Sequence, residues 1–156
     1  MMHLCSDVIR SLAGRTLVTA ESCTGGGIGS ALTAVSGSSA VYKGGIISYT
    51  NWVKHNQLGV DLTLLEREGA VSAPVAEAMA VGAKKYLQAD VAVSVTGLAG
   101  PSGDEYGNPV GTVFIGYCDE RGSLSRHFVF QGDRESVRNQ AIEAALKLVL
   151  QKAVDF

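Results

Sequence analysis

The chain has 156 residues, of which 46% are hydrophobic and 18% charged, a composition that excludes a disordered or fibrous protein and fits one globular domain. Lys and Arg number 13 against 15 Asp and Glu, for a net charge of −2, which argues against a general nucleic-acid binder while leaving room for a local basic pocket. No stretch is long and apolar enough to span a membrane and no secretory apolar core opens the chain, so a cytoplasmic protein with no membrane partner is expected. Cys5, Cys23 and Cys118 form an odd set without CxxC spacing, which points away from a disulfide framework and from zinc.

In chain order, residues 1–13 read as a helix closed by Gly14, and residues 16–20 as a buried strand. A hydroxyl- and glycine-rich turn follows, Ser22-Cys23-Thr24-Gly25-Gly26, and then a small-residue helix over 26–35. Residues 41–49 form a second strand with an irregularity at Gly44-Gly45. Asn51 is placed to cap a helix over 52–58 that Gly59 closes, and Asp61 to cap another reaching Glu68. Ser72 should start a longer helix with Val75, Met79, Ala83 and either Tyr86 or Leu87 on its buried stripe. Residues 91–96 are a third strand, running into a second glycine-rich loop, Thr96-Gly97-Leu98-Ala99-Gly100-Pro101. Residues 111–118 and 124–130 flank a polar turn as a β-hairpin, and a helix over 134–154 buries Val137, Ala141, Ala145, Leu148 and Val149. Strands alternating with helices, followed by a hairpin, predict a single α/β domain of three layers, with a mixed sheet covered by helices.

The chemistry centres on the first turn. A strand that ends in hydroxyls and glycines at a helix N-terminus brings side-chain oxygens and free N–H groups together, as a reactive serine or a phosphate cradle requires. A dinucleotide-binding turn fits poorly, because Gly25-x-Gly27-x-x-Ser30 only approximates the glycine fingerprint and no ribose-binding acid follows. No Asp or Glu occurs from Ser22 to Val60, a segment that carries Lys43, Lys54 and His55; this suits an anionic ligand, while the small residues equally suit close helix–sheet packing.

A serine hydrolase with a histidine base is also poorly served. There is no G-x-S-x-G elbow, and His3, His55 and His127 fall in terminal, charged-helix and strand contexts. A lysine can replace histidine if it is neutral enough to accept a proton, which burial and the absence of acids favour. Lys54 lies in the acid-free segment shortly after Tyr49, whose hydroxyl could bridge a proton or bond the substrate; Lys54 as a plain surface lysine stays open at this point. Cys23 is a rival nucleophile without a histidine partner, or a small packing residue. Asp104 and Glu105 read as solvated turn residues, and no metal ligand set is expected.

Six segments taken together resemble one family. Thr19-Ala20-Glu21-Ser22-Cys23-Thr24-Gly25-Gly26, Ser48-Tyr49-Thr50-Asn51-x-x-Lys54, Leu58-Gly59-Val60, Gly69-Ala70-Val71-Ser72, Thr96-Gly97-x-Ala99-Gly100-Pro101 and Pro109-Val110-Gly111-Thr112-Val113 are similar, in order and from about residue 5 to residue 152, to the CinA C-terminal domain family of PncC-type nicotinamide-nucleotide amidases. The resemblance implies hydrolysis of the carboxamide of nicotinamide mononucleotide to nicotinic acid mononucleotide and ammonia, without metal or cofactor, in pyridine nucleotide salvage. It implies Ser22 as nucleophile, Lys54 as base, Tyr49 as an assisting hydroxyl, and Thr96 and Gly97 in the same pocket. Thr24, Gly25, Gly26, Arg134 and Arg138 are the further substrate-binding candidates, with Gly25, Gly26 or the second glycine-rich loop, helped by Arg134 or Arg138, expected to hold the phosphate. The arginines lie one helical turn apart, and capping of the final helix or pairing with Glu135 is their alternative use.

Gly27 departs from the bulkier residues usual in the family, and residues 104–108 form a variable loop. Larger members carry an N-terminal domain with a pyrophosphatase activity, which is not carried over to this sequence. A non-catalytic nucleotide-binding module and a competence-associated regulatory protein are the competing classes; an intact Ser22, Tyr49 and Lys54 set favours the enzyme. A homo-oligomer is expected from the glycine-rich loops and the apolar hairpin.

Overall fold

The computed structural model describes residues 1–155. Helix α1 (Met2–Ser11) leads to the central strand β1 (Leu17–Glu21), then α2 (Gly27–Thr33), β2 (Tyr42–Ile47), α3 (Asn51–Leu58), α4 (Leu62–Glu68), α5 (Ala73–Tyr86), β3 (Val91–Gly97), β4 (Thr112–Asp119), β5 (Gly122–Val129) and α6 (Arg134–Val154). The strands form one mixed sheet in the order β2-β1-β3-β4-β5, parallel across β2, β1 and β3 and antiparallel from β3 to β5. This is the three-layer α/β architecture that alternating strands and helices predict.

Strand periodicity sorts the two cores. Leu17, Val91, Val93, Val95, Val113 and Ile115 pack with α1, α2 and α6, while Val18, Ala20 and Ala92 point the other way and pack with Leu58, Leu65, Val75, Met79, Ala80 and Ala83 from α3, α4 and α5. Central β1 and β3, covered on both faces, are accordingly buried along β1 and along β3 up to Thr96. In α6 all five residues of the expected stripe are buried. In α5 the end of the stripe is Leu87, packed against the core, whereas Tyr86 is exposed.

Local chemistry sets the ends of α3. The Thr50 hydroxyl accepts from the Val53 N–H at 3.4 Å, so Thr50 and not Asn51 is its N-cap, and Asn51 is the first helical residue. Gly59 ends the helix with φ +71°, a conformation that costs a residue with a Cβ far more.

Chain direction matters more for function. From β1 the chain crosses through α2 on one face to reach β2, and from β2 through α3–α5 on the other face to reach β3 on the opposite side of β1. The two crossovers leave a crevice at the C-terminal ends of β1 and β3, which is where open α/β sheets bind ligands.

Helix α5 packs so tightly on α3 that a Cβ on Gly82 would collide with the Leu58 carbonyl. Gly82→Ala should therefore lose about 1–3 kcal/mol through forced separation of the two helices, read in thermal unfolding as a fall in Tm of roughly 3–10 °C. An unchanged or raised Tm would show that α3 moves freely over α5.

Candidate active site

Ser22 is the first residue beyond β1, held in register because its N–H donates to the Val95 carbonyl of β3 at 3.0 Å. It is 7% exposed. Lys54 reaches it from α3: Nζ lies 3.0 Å from Ser22 Oγ and donates to the Ser48 carbonyl at 2.7 Å. The side chain of Lys54 is buried with 1% exposure, and Ser48 is pinned to the end of β1 through its N–H on the Glu21 carbonyl at 2.7 Å. Two adjacent parallel strands thus set the distance between hydroxyl and amine.

The electrostatics of the pair follow from this burial. Among the described residues no carboxylate forms an ion pair with Lys54. Removal from water lowers the pKa of its ammonium from 10.5 to about 8. At pH 7 roughly a tenth of the protein then carries a neutral amine. The neighbouring Cys23 thiol moves the opposite way, pushed up to about 11 mainly by burial, so it stays protonated.

A buried acid shapes the turn. Glu21, 2% exposed, accepts from the Thr24 hydroxyl at 2.7 Å, the Ile28 N–H at 2.8 Å and the Gly29 N–H at 3.0 Å. Its carboxylate therefore occupies the N-terminus of α2, the place where an external anion was expected. Gly25 and Gly26, at φ +59° and +98°, fold the chain back over it. From the opposite side, the half-buried Arg138 donates through Nε to the Cys23 carbonyl at 3.0 Å and through Nη2 to the Thr24 carbonyl at 3.1 Å.

A cleft of about 310 Å³ opens in front of Ser22 and Lys54. Thr96, Gly97 and Leu98 form its floor at the end of β3, and Ala70 and Val71 one wall. Ala99, Gly100 and Ser102 from the second glycine-rich loop form another wall. Tyr49, 59% exposed, and Arg134 stand at the mouth, where Arg134 donates through Nη1 to the Gly100 carbonyl at 2.7 Å and through Nη2 to the Tyr49 hydroxyl at 3.3 Å. The Thr96 hydroxyl donates to the Ala70 carbonyl at 2.8 Å and so braces the floor against the wall.

Of the residues singled out from sequence, Ser22, Tyr49, Lys54, Thr96, Gly97 and Arg134 meet in this cleft. Thr24, Gly25, Gly26 and Arg138 do not line it: the Thr24 hydroxyl and the Ile28 and Gly29 amides are taken by Glu21, and Arg138 by turn carbonyls, whereas the second glycine-rich loop and Arg134, the other expected phosphate holders, do line it. Of the two uses open to the Tyr49 hydroxyl, bridging a proton or bonding the substrate, its position at the mouth fits the second: Lys54 touches Ser22 directly while the Tyr49 hydroxyl accepts from Arg134. Glu21 was absent from the sequence-derived set. Its signal was available as a lone acid at the end of a buried strand, directly before an acid-free helix start. Ser48 acts through its main chain and leaves no such signal.

Among the described residues no group of three or more His, Cys, Asp or Glu is arranged to hold a metal ion, and no helix is long and apolar enough to cross a membrane.

The chain is similar to known proteins in sequence and fold. Residues 3–153 match the family model of the CinA C-terminal domain. The nicotinamide-nucleotide amidohydrolase PncC of Escherichia coli (strain K12) is 43% identical over 155 residues, covering 97% of this chain and 94% of that protein. A CinA-like protein of Synechococcus sp. (strain RCC307) is 49% identical over 150 residues, but there the match spans only 36% of the longer relative. The crystal structure of a CinA superfamily protein from Klebsiella pneumoniae 700603 superposes with a TM-score of 0.96 at 34% identity, covering 99% of this chain and 98% of that one. The corresponding Escherichia coli superfamily structure gives a TM-score of 0.94 at 38% identity, covering 96% of this chain and 88% of that one. With its sequence matched almost end to end and its fold superposed over nearly every residue, the chain belongs to the CinA C-terminal domain family.

Proposed function

We propose that the protein is an amidohydrolase that converts nicotinamide mononucleotide and water to nicotinic acid mononucleotide and ammonia, through a serine–lysine acyl-enzyme mechanism without a metal, in pyridine nucleotide salvage. The observation that carries this reading is the buried Lys54 amine, 3.0 Å from the Ser22 hydroxyl, with its pKa lowered to about 8. A module that only bound nucleotide would have no use for a desolvated amine aimed at a hydroxyl. The similarity to PncC, which spans nearly the whole of both chains, supports the choice of substrate.

The steps follow from the site's own groups. Neutral Lys54 keeps one N–H on the Ser48 carbonyl, which turns its lone pair toward Ser22. Ser22 Oγ attacks the carboxamide carbon as its proton passes to Lys54. The carbonyl oxygen becomes an oxyanion that needs N–H donors. The amides of Ser22, Gly25 and Gly27 are spent within the strand and turn, and those of Ile28 and Gly29 on Glu21. We assign the oxyanion to the N–H of Cys23, the next residue bordering the cleft. The C–N bond then breaks, the departing nitrogen takes the proton from Lys54, and ammonia leaves. Water adds to the acyl-enzyme with Lys54 again as base, and the acid is released with Ser22 restored. The substrate phosphate is assigned to Arg134 at the mouth, since Arg138 is committed to the turn.

Ammonia release from nicotinamide mononucleotide, measured with a chelator present, should be robust in the wild type and fall at least about 10³-fold in Ser22→Ala. Survival of activity in that variant would sink the serine mechanism. Because the base must be neutral, kcat should climb with pH through about 8 and then level off, and Lys54→Ala should lose both the activity and this limb. A rate that falls over the same range would require a protonated Lys54 instead. Arg134→Ala should raise KM for the mononucleotide by about 10- to 100-fold and leave turnover of the riboside, which has no phosphate, unchanged. Arg138→Ala should depress kcat for both substrates, and a loss confined to the mononucleotide would move the phosphate to Arg138.

A further inference from the structure

Two polar side chains in the cleft are used neither by the fold nor by the chemistry described so far. Ser22 is bonded to Lys54, Lys54 to the Ser48 carbonyl, Thr96 to the Ala70 carbonyl, and Tyr49 and Arg134 to each other. Asn51 and Ser102 line the same cleft, and among the described residues neither side chain has a protein partner. Both residues are exposed, so their donors and acceptors are open to a ligand.

The two stand at different heights. Asn51 begins α3 three residues before Lys54, and residues three apart share a helix face. It therefore lies between Tyr49 at the mouth and Lys54 at the base. Ser102 belongs to the wall made by the second glycine-rich loop, two residues after Gly100, whose carbonyl holds Arg134. A mononucleotide with its carboxamide at Ser22 and its phosphate at Arg134 has its ribose between those ends, at the level of Asn51 and Ser102.

Charge decides what can hold that ribose. In dinucleotide-binding folds a carboxylate takes the ribose hydroxyl. Among the described residues no Asp or Glu lines this cleft, and one placed there would keep Lys54 protonated. Neutral groups have to do the same work. A carboxamide offers one acceptor and two donors, and a serine hydroxyl both donates and accepts.

We propose that Asn51 and Ser102 form a ribose subsite, resting on the amidase reading above, with Asn51 at the 2′-hydroxyl and Ser102 at the 3′-hydroxyl. The 2′ carbon is bonded to the carbon that carries the pyridine ring, which puts its hydroxyl nearer the reacting end and the helix face shared by Asn51 and Lys54. The 3′-hydroxyl lies toward the phosphate end, where Ser102 follows the Gly100–Arg134 contact. Each hydroxyl donates to its partner's oxygen, and the diol is read without a charge beside the base.

The test is kcat/KM for ammonia release from nicotinamide mononucleotide and from its 2′-deoxy and 3′-deoxy counterparts. Wild type should prefer the parent over each by about 5- to 10-fold. Asn51→Ala should lose that factor on the parent and nothing further on the 2′-deoxy substrate, keeping its preference over the 3′-deoxy one. Ser102→Ala should show the converse. Asn51→Asp keeps an acceptor and adds a charge, so it should retain the 2′ preference while the rise of kcat moves to higher pH. Cys23, Tyr49 and Arg134 in the cleft and Glu21 behind the turn are unaltered in that variant. Equal turnover of all three substrates by wild type, variants that keep both preferences, or a uniform loss across the three would overturn the subsite and leave the amidase standing. No ammonia from the parent with wild type would take down the amidase reading, and the subsite with it.

Discussion

Burying the Lys54 amine beside Ser22 is unfavourable on its own, and much of the architecture around it serves to make that burial tolerable. Lowering an ammonium pKa from 10.5 to about 8 corresponds to a penalty on the charged form of order 3 kcal/mol. An adjacent carboxylate would relieve the penalty and also hold the lysine protonated, useless as a base. The chain instead supplies the neutral Ser48 carbonyl at 2.7 Å, which satisfies one N–H without stabilising the charge strongly. The rest of the cost falls on the packing of α3 against α5, where Leu58, one turn after Lys54, is buried beside Met79 and Ala83.

A carboxylate is nevertheless present close by, and its placement resolves an apparent conflict. Glu21 directly precedes Ser22, yet on a strand successive side chains point to opposite faces, so Glu21 turns toward α2 while the chain carries Ser22 into the cleft. Its carboxylate is spent on two helix amides and a hydroxyl. The helix N-terminus is thereby stabilised from within and closed to an external anion, and the turn that presents Ser22 is fixed from below as Arg138 fixes it from above. The Glu21 carboxylate and the Ser22 hydroxyl are separated by the pleat of a single strand.

The sheet topology explains why these parts meet. Ser22, Ser48 and Thr96 stand just beyond or at the ends of β1, β2 and β3, three parallel neighbours whose C-terminal ends share one rim. The antiparallel strands β4 and β5 contribute no residue to the cleft lining and extend the sheet away from it. The cleft and the open β5 edge therefore lie apart on one sheet.

Much was legible in the sequence, because local rules govern it. Strand and helix order, the cap at Asp61, the stop at Gly59 and the buried stripe of α6 follow from periodicity and backbone preference within a few residues of each position. The motifs around Ser22, Tyr49, Lys54 and Thr96 named the family, and the absence of acids from Ser22 to Val60 already marked the environment a neutral lysine needs. What sequence could not decide were matters of direction and distance between segments far apart in the chain. Whether Lys54 faced water or Ser22, 32 residues away, depended on how α3 docks on α5. That Arg134 guards the mouth while Arg138 grips the turn depended on where one helical turn of α6 passes the glycine loops. That Glu21 fills the anion site depended on which way a buried strand residue points. Each is set by tertiary packing, where a change of a few ångströms exchanges a surface residue for one that lines the cleft.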